Sequence, residues 1–221
     1  MWLFYDSQNK TTRGSMSVRK MVKMEKREIA PGIVVYSNVI ANSETLPTDI
    51  EEGLISAGLS WSKAFVKTDD GIKLEESSRS TETITIVYSE VSSQDFSSPT
   101  ASFYTTLSNL FLENFKPIEE DYKAMYGVGV RTHENYSILK YGVGQYFVNH
   151  VDDYFEGPRR MSHVHYLNED YTGGEIVFPR FGVHYKPKAN ESIFFPSGYV
   201  YNHSVVPVIS GTRYAVVSWL Y

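Results

Sequence analysis

Apolar residues follow two different patterns along this chain, and the change falls near Gly127. Before it, helical spacing dominates. Phe103, Leu107, Leu110, Phe111 and Phe115 stand at i, i+4, i+7, i+8 and i+12, which predicts an amphipathic helix. Pro117 interrupts this stripe, so a second helix is expected from Ile118 to Met125. Ile50, Leu54, Ile55 and Leu59 recur in the same way and predict a helix over Pro47–Ala57. Two short stretches read as strands, Ile33–Tyr36 after the Pro31-Gly32 turn and the alternating Thr83–Tyr88. Ser92–Thr100 reads as a flexible loop.

After Gly127 the helical period is gone. Short apolar runs alternate with turn residues at Gly142–Gly144, Glu156–Pro158, Asp170–Gly174, Pro196–Gly198 and Ser210-Gly211. Seven or eight strands fit between Tyr136 and Tyr221, a spacing that suggests a jelly roll or barrel. Helices in the first half would cover the outer face of that sheet. The expected fold class is mainly β with flanking helices (α+β). One domain is expected over 31–221, with a helix-containing support and substrate region at 31–130 and a β-core at 131–221. Residues 1–30 hold seven Lys/Arg against three Asp/Glu and few apolar anchors. They read as a flexible basic arm, part of it an upstream extension before Met16; a docking arm is the alternative.

Composition narrows the chemistry. The chain has no Cys, so disulfides and thiolate metal sites are excluded, and a metal must use His, Asp, Glu or Tyr. A net charge of −5 makes nucleic acid a poor partner. No stretch is apolar and long enough to span a membrane, and the start lacks a signal-peptide pattern. These readings together predict a cytoplasmic protein.

The candidate chemistry begins at Tyr146–Asp152. In a strand, His150 and Asp152 point to one side and offer an imidazole and a carboxylate together. An H-x-D pair alone also fits a surface strand with two solvated side chains. His203 adds a second imidazole, and Arg213 follows ten residues later. Two His and one carboxylate on one face of an octahedron leave room for exogenous ligands, as in non-haem Fe(II) oxygenases. A 2-oxo acid can chelate there, and an Arg fork can hold its distal carboxylate.

The stretch Tyr136–Tyr221 resembles the prolyl 4-hydroxylase-like branch of the Fe(II)/2-oxoglutarate-dependent dioxygenases. The resemblance rests on an ordered set of motifs. It runs through Tyr141-Gly142, Gly144-Gln145-Tyr146, His150-Val151-Asp152, Arg160 and Tyr166-Leu167-Asn168. Gly173-Gly174-Glu175, Phe178-Pro179, Pro187-Lys188 and Phe195-Pro196 follow. His203, Val206-Pro207-Val208, Gly211-Thr212-Arg213-Tyr214 and Trp219 complete it. The resemblance implies a double-stranded β-helix (jelly roll) core with Fe(II) held by His150, Asp152 and His203. It implies that Arg213 pairs with the distal carboxylate of 2-oxoglutarate, helped by Tyr166, and that Tyr141 contacts the co-substrate or substrate. O2 is the other co-substrate, and ascorbate is a candidate reductant. Phe147 departs from the family, which often has Tyr there. Residues 1–130 resemble it only faintly.

The remaining polar residues read more plainly. If Tyr166 faces the barrel interior, Ser162 and Val164 do too, and His163 and His165 face the other side as structural or surface residues. His133 and His184 match no motif. Trp219 reads as core, and Arg160 as either a substrate-groove residue or a surface charge. For His203 and Arg213 to face one interior across a hairpin, a three-residue loop Ile209–Gly211 with Gly211 at positive φ, or a bulge near Pro207, is needed.

The expected activity is hydroxylation of an unactivated C–H bond, with a prolyl residue in a peptide or protein as the substrate the resemblance implies. Another amino-acid side chain, a free amino acid or a small metabolite is the alternative. A jelly-roll metal-binding module without turnover has no need of Arg213, and a nucleic-acid demethylase is disfavoured by the acidic charge.

Overall fold

The computed structural model describes residues 23–68, 71–86, 98–154 and 158–221. The first-half elements are β1 (Glu25–Ala30), β2 (Ile33–Ser37), α1 (Leu46–Ser56), β3 (Ser62–Lys63), β4 (Val66–Thr68), β5 (Gly71–Lys73), β6 (Glu82–Thr85) and α2 (Pro99–Tyr126). The second half carries β7 (Ser137–Tyr141), β8 (Phe147–His150), β9 (Met161–Tyr166), β10 (Thr172–Gly173), β11 (Ile176–Phe178) and β12 (Val183–Tyr185). It ends with β13 (Glu191–Pro196), β14 (His203–Val205), β15 (Val208–Ser210) and β16 (Arg213–Leu220).

A large antiparallel sheet has the order β1-β2-β13-β9-β16-β7-β6-β3, and a smaller one the order β12-β11-β14-β8. Alternation along the large sheet explains how it is covered. Val34, Tyr36, Ile138, Met161, Phe194 and Val216 pack with Phe111, Phe115, Ile118 and Tyr122 of α2. Their neighbours Ile33, Val35, Leu139, Val164, Ile193, Phe195 and Val217 pack with Ile176, Phe178 and Val205 of the small sheet. The large sheet is thus buried on both faces, and two cores result. The inner one, between the sheets, is where the site lies. The fold is a double-stranded β-helix with a helical outer layer.

Three expectations need correction. First, Pro117 does not end a helix: α2 runs unbroken from Pro99 to Tyr126. Pro117 lies on the solvent face, so the Glu113 carbonyl it leaves without an amide partner can turn to water. Burial of Phe115, Ile118 and Tyr122 on either side of it holds both segments on one sheet. Second, residues 25–30 are no free arm, because β1 pairs with β2 from Glu25↔Ser37 to Ala30↔Ile33. Residues 1–22 lie outside the described residues. Third, ten strands rather than seven or eight follow Tyr136, because short segments cross between the sheets. The first and second halves also share one sheet, since β2 lies beside β13 and β6 beside β7.

Of the loop expected at Ser92–Thr100, residues 92–97 lie outside the described residues, as do 87–88 of the expected strand and 156–157 of the expected turn. Ser98 caps α2 by accepting a hydrogen bond from the Ala101 amide, and Pro99 opens it.

Candidate metal and co-substrate site

Antiparallel pairing sets His150 on β8 directly opposite His203 on β14. β8 ends at His150 rather than continuing through Asp152, so Asp152 reaches the interior from the following loop. The ligating atoms of the three residues lie within 4.8 Å of one another. Asp152 Oδ1 stands 3.5 Å from His150 Nε2, and Oδ2 stands 3.7 Å from His203 Nε2. Each ring is oriented from behind. His150 Nδ1 is 2.8 Å from the Val148 carbonyl and His203 Nδ1 is 3.1 Å from the Tyr201 carbonyl. A carbonyl only accepts, so Nδ1 carries the proton and the Nε2 lone pair is free.

Ser162 of β9 donates to Asp152 Oδ2 at 2.6 Å and shares a hydrogen bond with Ser197 at 2.9 Å. Burial opposes the Asp152 charge, but His203, His150 and the Ser162 hydroxyl outweigh it and hold the carboxyl well below its usual range. Burial and the neighbouring His150 push His203 down to about 4, against the pull of Asp152. A carboxylate facing free imidazole nitrogens is the donor set that a borderline divalent ion such as Fe(II) takes, and these residues fit it.

Arg213, at the start of β16, is 1% exposed. Its Nε and Nη1 have no hydrogen-bond partner, and no carboxylate among the described residues pairs with it. Its guanidinium carbon lies 4.6 Å from the Tyr141 ring centroid and 5.0 Å from that of Tyr166. Burial works against its charge, yet the facing phenols Tyr166, Tyr171 and Tyr141 keep its pKa above the ordinary value. A buried cation without a counter-ion is costly unless an anion completes it. The distal carboxylate of 2-oxoglutarate fits that requirement.

His203 and Arg213 line the same inner cavity with Tyr141, Val164 and Trp219. Neither the hairpin nor a bulge at Pro207 achieves this. β14 belongs to the small sheet and β16 to the large one, so the two residues face each other across the core. Gly211 does have positive φ, +76°, for another reason: a Cβ there would lie 2.7 Å from the Asp170 carbonyl oxygen.

A cleft of about 580 Å³ opens from this cavity past Phe65, Arg79, Phe147, Tyr154, Arg159 and Trp219. Arg160, which reads as either a groove residue or a surface charge, is exposed and lines a separate pocket with Tyr122, Tyr126 and Tyr201. It precedes β9, where strand alternation does not yet apply. Its neighbour Arg159 lines the cleft, stacked 3.7 Å over Trp219 and doubly bonded to Glu134. Trp219 is therefore a site-lining residue as well as a packing one. Phe147 stacks on His150 with centroids 3.5 Å apart, and the Arg79 guanidinium lies 4.8 Å from its ring centroid.

His163 and His165 face the helices, as the alternation predicts; His163 stacks on Phe194, and Phe115 meets His163 edge-on and His165 at a tilt. Sequence reasoning did not single out Arg79, Arg159 or Tyr171 and gave Ser162 no role. Only Ser162 left a signal, its inward parity with Tyr166.

Two facing antiparallel sheets enclosing a His–Asp–His cluster and a buried arginine define the double-stranded β-helix oxygenase class. Residues 136–221 match the model of the 2OG-Fe(II) oxygenase superfamily. The chain is 38% identical to a PKHD-type hydroxylase of Acaryochloris marina over 104 residues, covering 43% of this chain and 47% of that protein. It is 31% identical to prolyl 4-hydroxylase subunit alpha-1 of Gallus gallus over 113 residues, covering 43% of this chain and 22% of that one. The chain thus matches about half of the first relative's length and about a fifth of the second's. A solved prolyl hydroxylase of Trichoplax adhaerens, in complex with a peptide fragment of the hypoxia inducible factor oxygen degradation domain, shares the fold. Its TM-score is 0.60 at 15% identity, over 86% of this chain and 83% of that one. Residues 136–221, about two-fifths of the chain, thus resemble the 2OG-Fe(II) oxygenases, and the relatives that the chain matches are hydroxylases, prolyl 4-hydroxylase among them.

Proposed function

We propose that this protein is an Fe(II)- and 2-oxoglutarate-dependent dioxygenase that hydroxylates a prolyl residue in a peptide or protein. The observation that carries the co-substrate is Arg213, a fully buried guanidinium with no carboxylate partner among the described residues, opening on the same cavity as the His150–Asp152–His203 cluster. The overall change is R–H + O2 + 2-oxoglutarate → R–OH + succinate + CO2. Bound Fe(II) supplies the oxidising chemistry. The chain's own residues do the rest. His150, Asp152 and His203 would hold the metal, each imidazole offering its Nε2 lone pair and Asp152 its carboxylate. Arg213 and Tyr166 fix the far end of the co-substrate, and the apolar walls Leu139, Val164, Ile176 and Val217 exclude water from it.

The relatives' names favour a prolyl target, and the cleft favours an extended substrate. It runs from Phe65 and Val66 past the cluster to Tyr154, wider than a free amino acid needs. Another side chain, a free amino acid or a small metabolite remains the second reading, on the same site.

Incubation with Fe(II), ascorbate, 2-oxoglutarate and proline-rich peptides tests both levels. Peptide-dependent succinate and a +16 Da product at proline are expected. Succinate that forms only with a small amino acid would shift the substrate to the second reading. Equal 2-oxoglutarate affinity in wild type and Arg213→Met would remove the co-substrate assignment itself.

A further inference from the structure

We infer that Tyr171 is a further donor to the distal carboxylate of 2-oxoglutarate, an assignment that rests on the co-substrate reading of the Arg213 pocket. No motif points to Tyr171; it lies between β9 and β10, beyond the Tyr166-Leu167-Asn168 run. Its side chain is buried, its oxygen faces the Arg213 guanidinium, and its O–H finds no acceptor. The Tyr166 hydroxyl and two nitrogens of Arg213 share that state. A buried hydroxyl without a partner is rare and destabilising. Two such hydroxyls beside the Arg213 guanidinium, all of them donors, are explained if a single acceptor serves them all.

Their proximity is built in. A Cβ at Gly174, where φ is +66°, would lie 3.0 Å from both Arg213 Cδ and Tyr171 Cε2. Glycine there lets the phenol and the guanidinium stem lie side by side. Lys186 then fixes the ring. Its ammonium donates to the Tyr171 carbonyl at 2.9 Å and the Gly173 carbonyl at 2.8 Å, and sits 3.2 Å from the Tyr171 centroid. A cation on the ring face draws electron density from the phenol and makes its O–H a better donor. Burial raises the pKa of Tyr166 and Tyr171, so both phenols keep their protons at neutral pH.

A carboxylate has about four lone-pair sites and can accept from a guanidinium and two phenols together. A 2-oxo acid without the second carboxylate can satisfy none of them. Tyr171 would therefore act on selection of the five-carbon diacid and leave the chelating end unaffected.

Anaerobic calorimetry of the Fe(II)-loaded protein with 2-oxoglutarate and with pyruvate tests this. Wild type is expected to bind 2-oxoglutarate much more tightly than pyruvate. Tyr171→Phe should weaken 2-oxoglutarate on the order of ten-fold and leave pyruvate unchanged. Unchanged 2-oxoglutarate binding in Tyr171→Phe, with binding lost in Arg213→Met, overturns the assignment and spares the co-substrate reading. A parallel loss for both probes marks repacking and overturns it too. If wild type does not distinguish the two acids, the co-substrate reading fails and this assignment goes with it.

Discussion

Acid should destabilise this protein through two histidines that take no part in the site. His163 and His165 are 1% and 0% exposed, between the large sheet and α2. One hydroxyl serves both: Ser192 Oγ is 3.0 Å from His163 Nε2 and 2.9 Å from His165 Nδ1. The other nitrogens, His163 Nδ1 and His165 Nε2, are buried without a hydrogen-bond partner. Burial pushes His165 down from 6.5 to about 3, and burial together with His165 lowers His163 well below 6.5.

The sign follows from linkage. A histidine depressed in the folded state stays neutral there while the unfolded chain takes up a proton below about 6.5. Its contribution is therefore intact above that value and is lost as pH falls towards the folded pKa. Between pH 7 and pH 5, each such residue lowers stability by about 2 kcal/mol, or about 4 kcal/mol for the pair. That is a large part of the stability of an ordinary domain.

Urea unfolding of metal-free protein at pH 7, 6 and 5, at fixed ionic strength, measures the loss. His203 also titrates in the metal-free protein, so the comparison is between slopes. His165→Gln should cost stability at pH 7 but lose about 2 kcal/mol less than wild type on going to pH 5. Parallel pH profiles for the two proteins would refute the reasoning, because His165 would then be protonated to the same extent folded and unfolded.

Three further substitutions probe separate parts of the structure. Ser162→Ala removes the 2.6 Å hydrogen bond that orients Asp152; metal affinity by calorimetry should fall roughly 10–100-fold with little change in the thermal midpoint. Pro117→Ala restores an amide donor on the exposed face of α2 and should raise unfolding free energy by about 1–3 kcal/mol in urea titrations; a loss would mean that the helix depends on the proline for its path. Gly211→Ala places a Cβ 2.7 Å from the Asp170 carbonyl oxygen at φ +76°, and chemical denaturation should show a loss of about 2 kcal/mol or more.

What could be read in advance, and what could not, separates by the range of the interaction. Alternation is local, so it put Ser162 and Val164 with Tyr166 and turned His163 and His165 away; His150 and Asp152 do meet, but through the loop after β8 rather than by strand parity. Alternation said nothing about which sheet a strand joins. That is why a hairpin was needed, on paper, to bring His203 and Arg213 together, when the chain crosses between sheets at 206–212 and the two residues meet face to face. The same limit explains Arg159 and Arg160. Parity has meaning inside β9 but not one residue before it, and the guanidinium that reaches the cleft is the one that can stack on Trp219 and bond Glu134, contacts 60 and 25 residues away along the chain. Pro117 fails for a related reason. A local rule ends the helix there, and burial of its neighbours against a distant sheet overrides it. Tyr171 is the extreme case: it carries no motif and no periodicity, and only the three-dimensional meeting of its hydroxyl with Tyr166 and Arg213 gives it a role that can be tested.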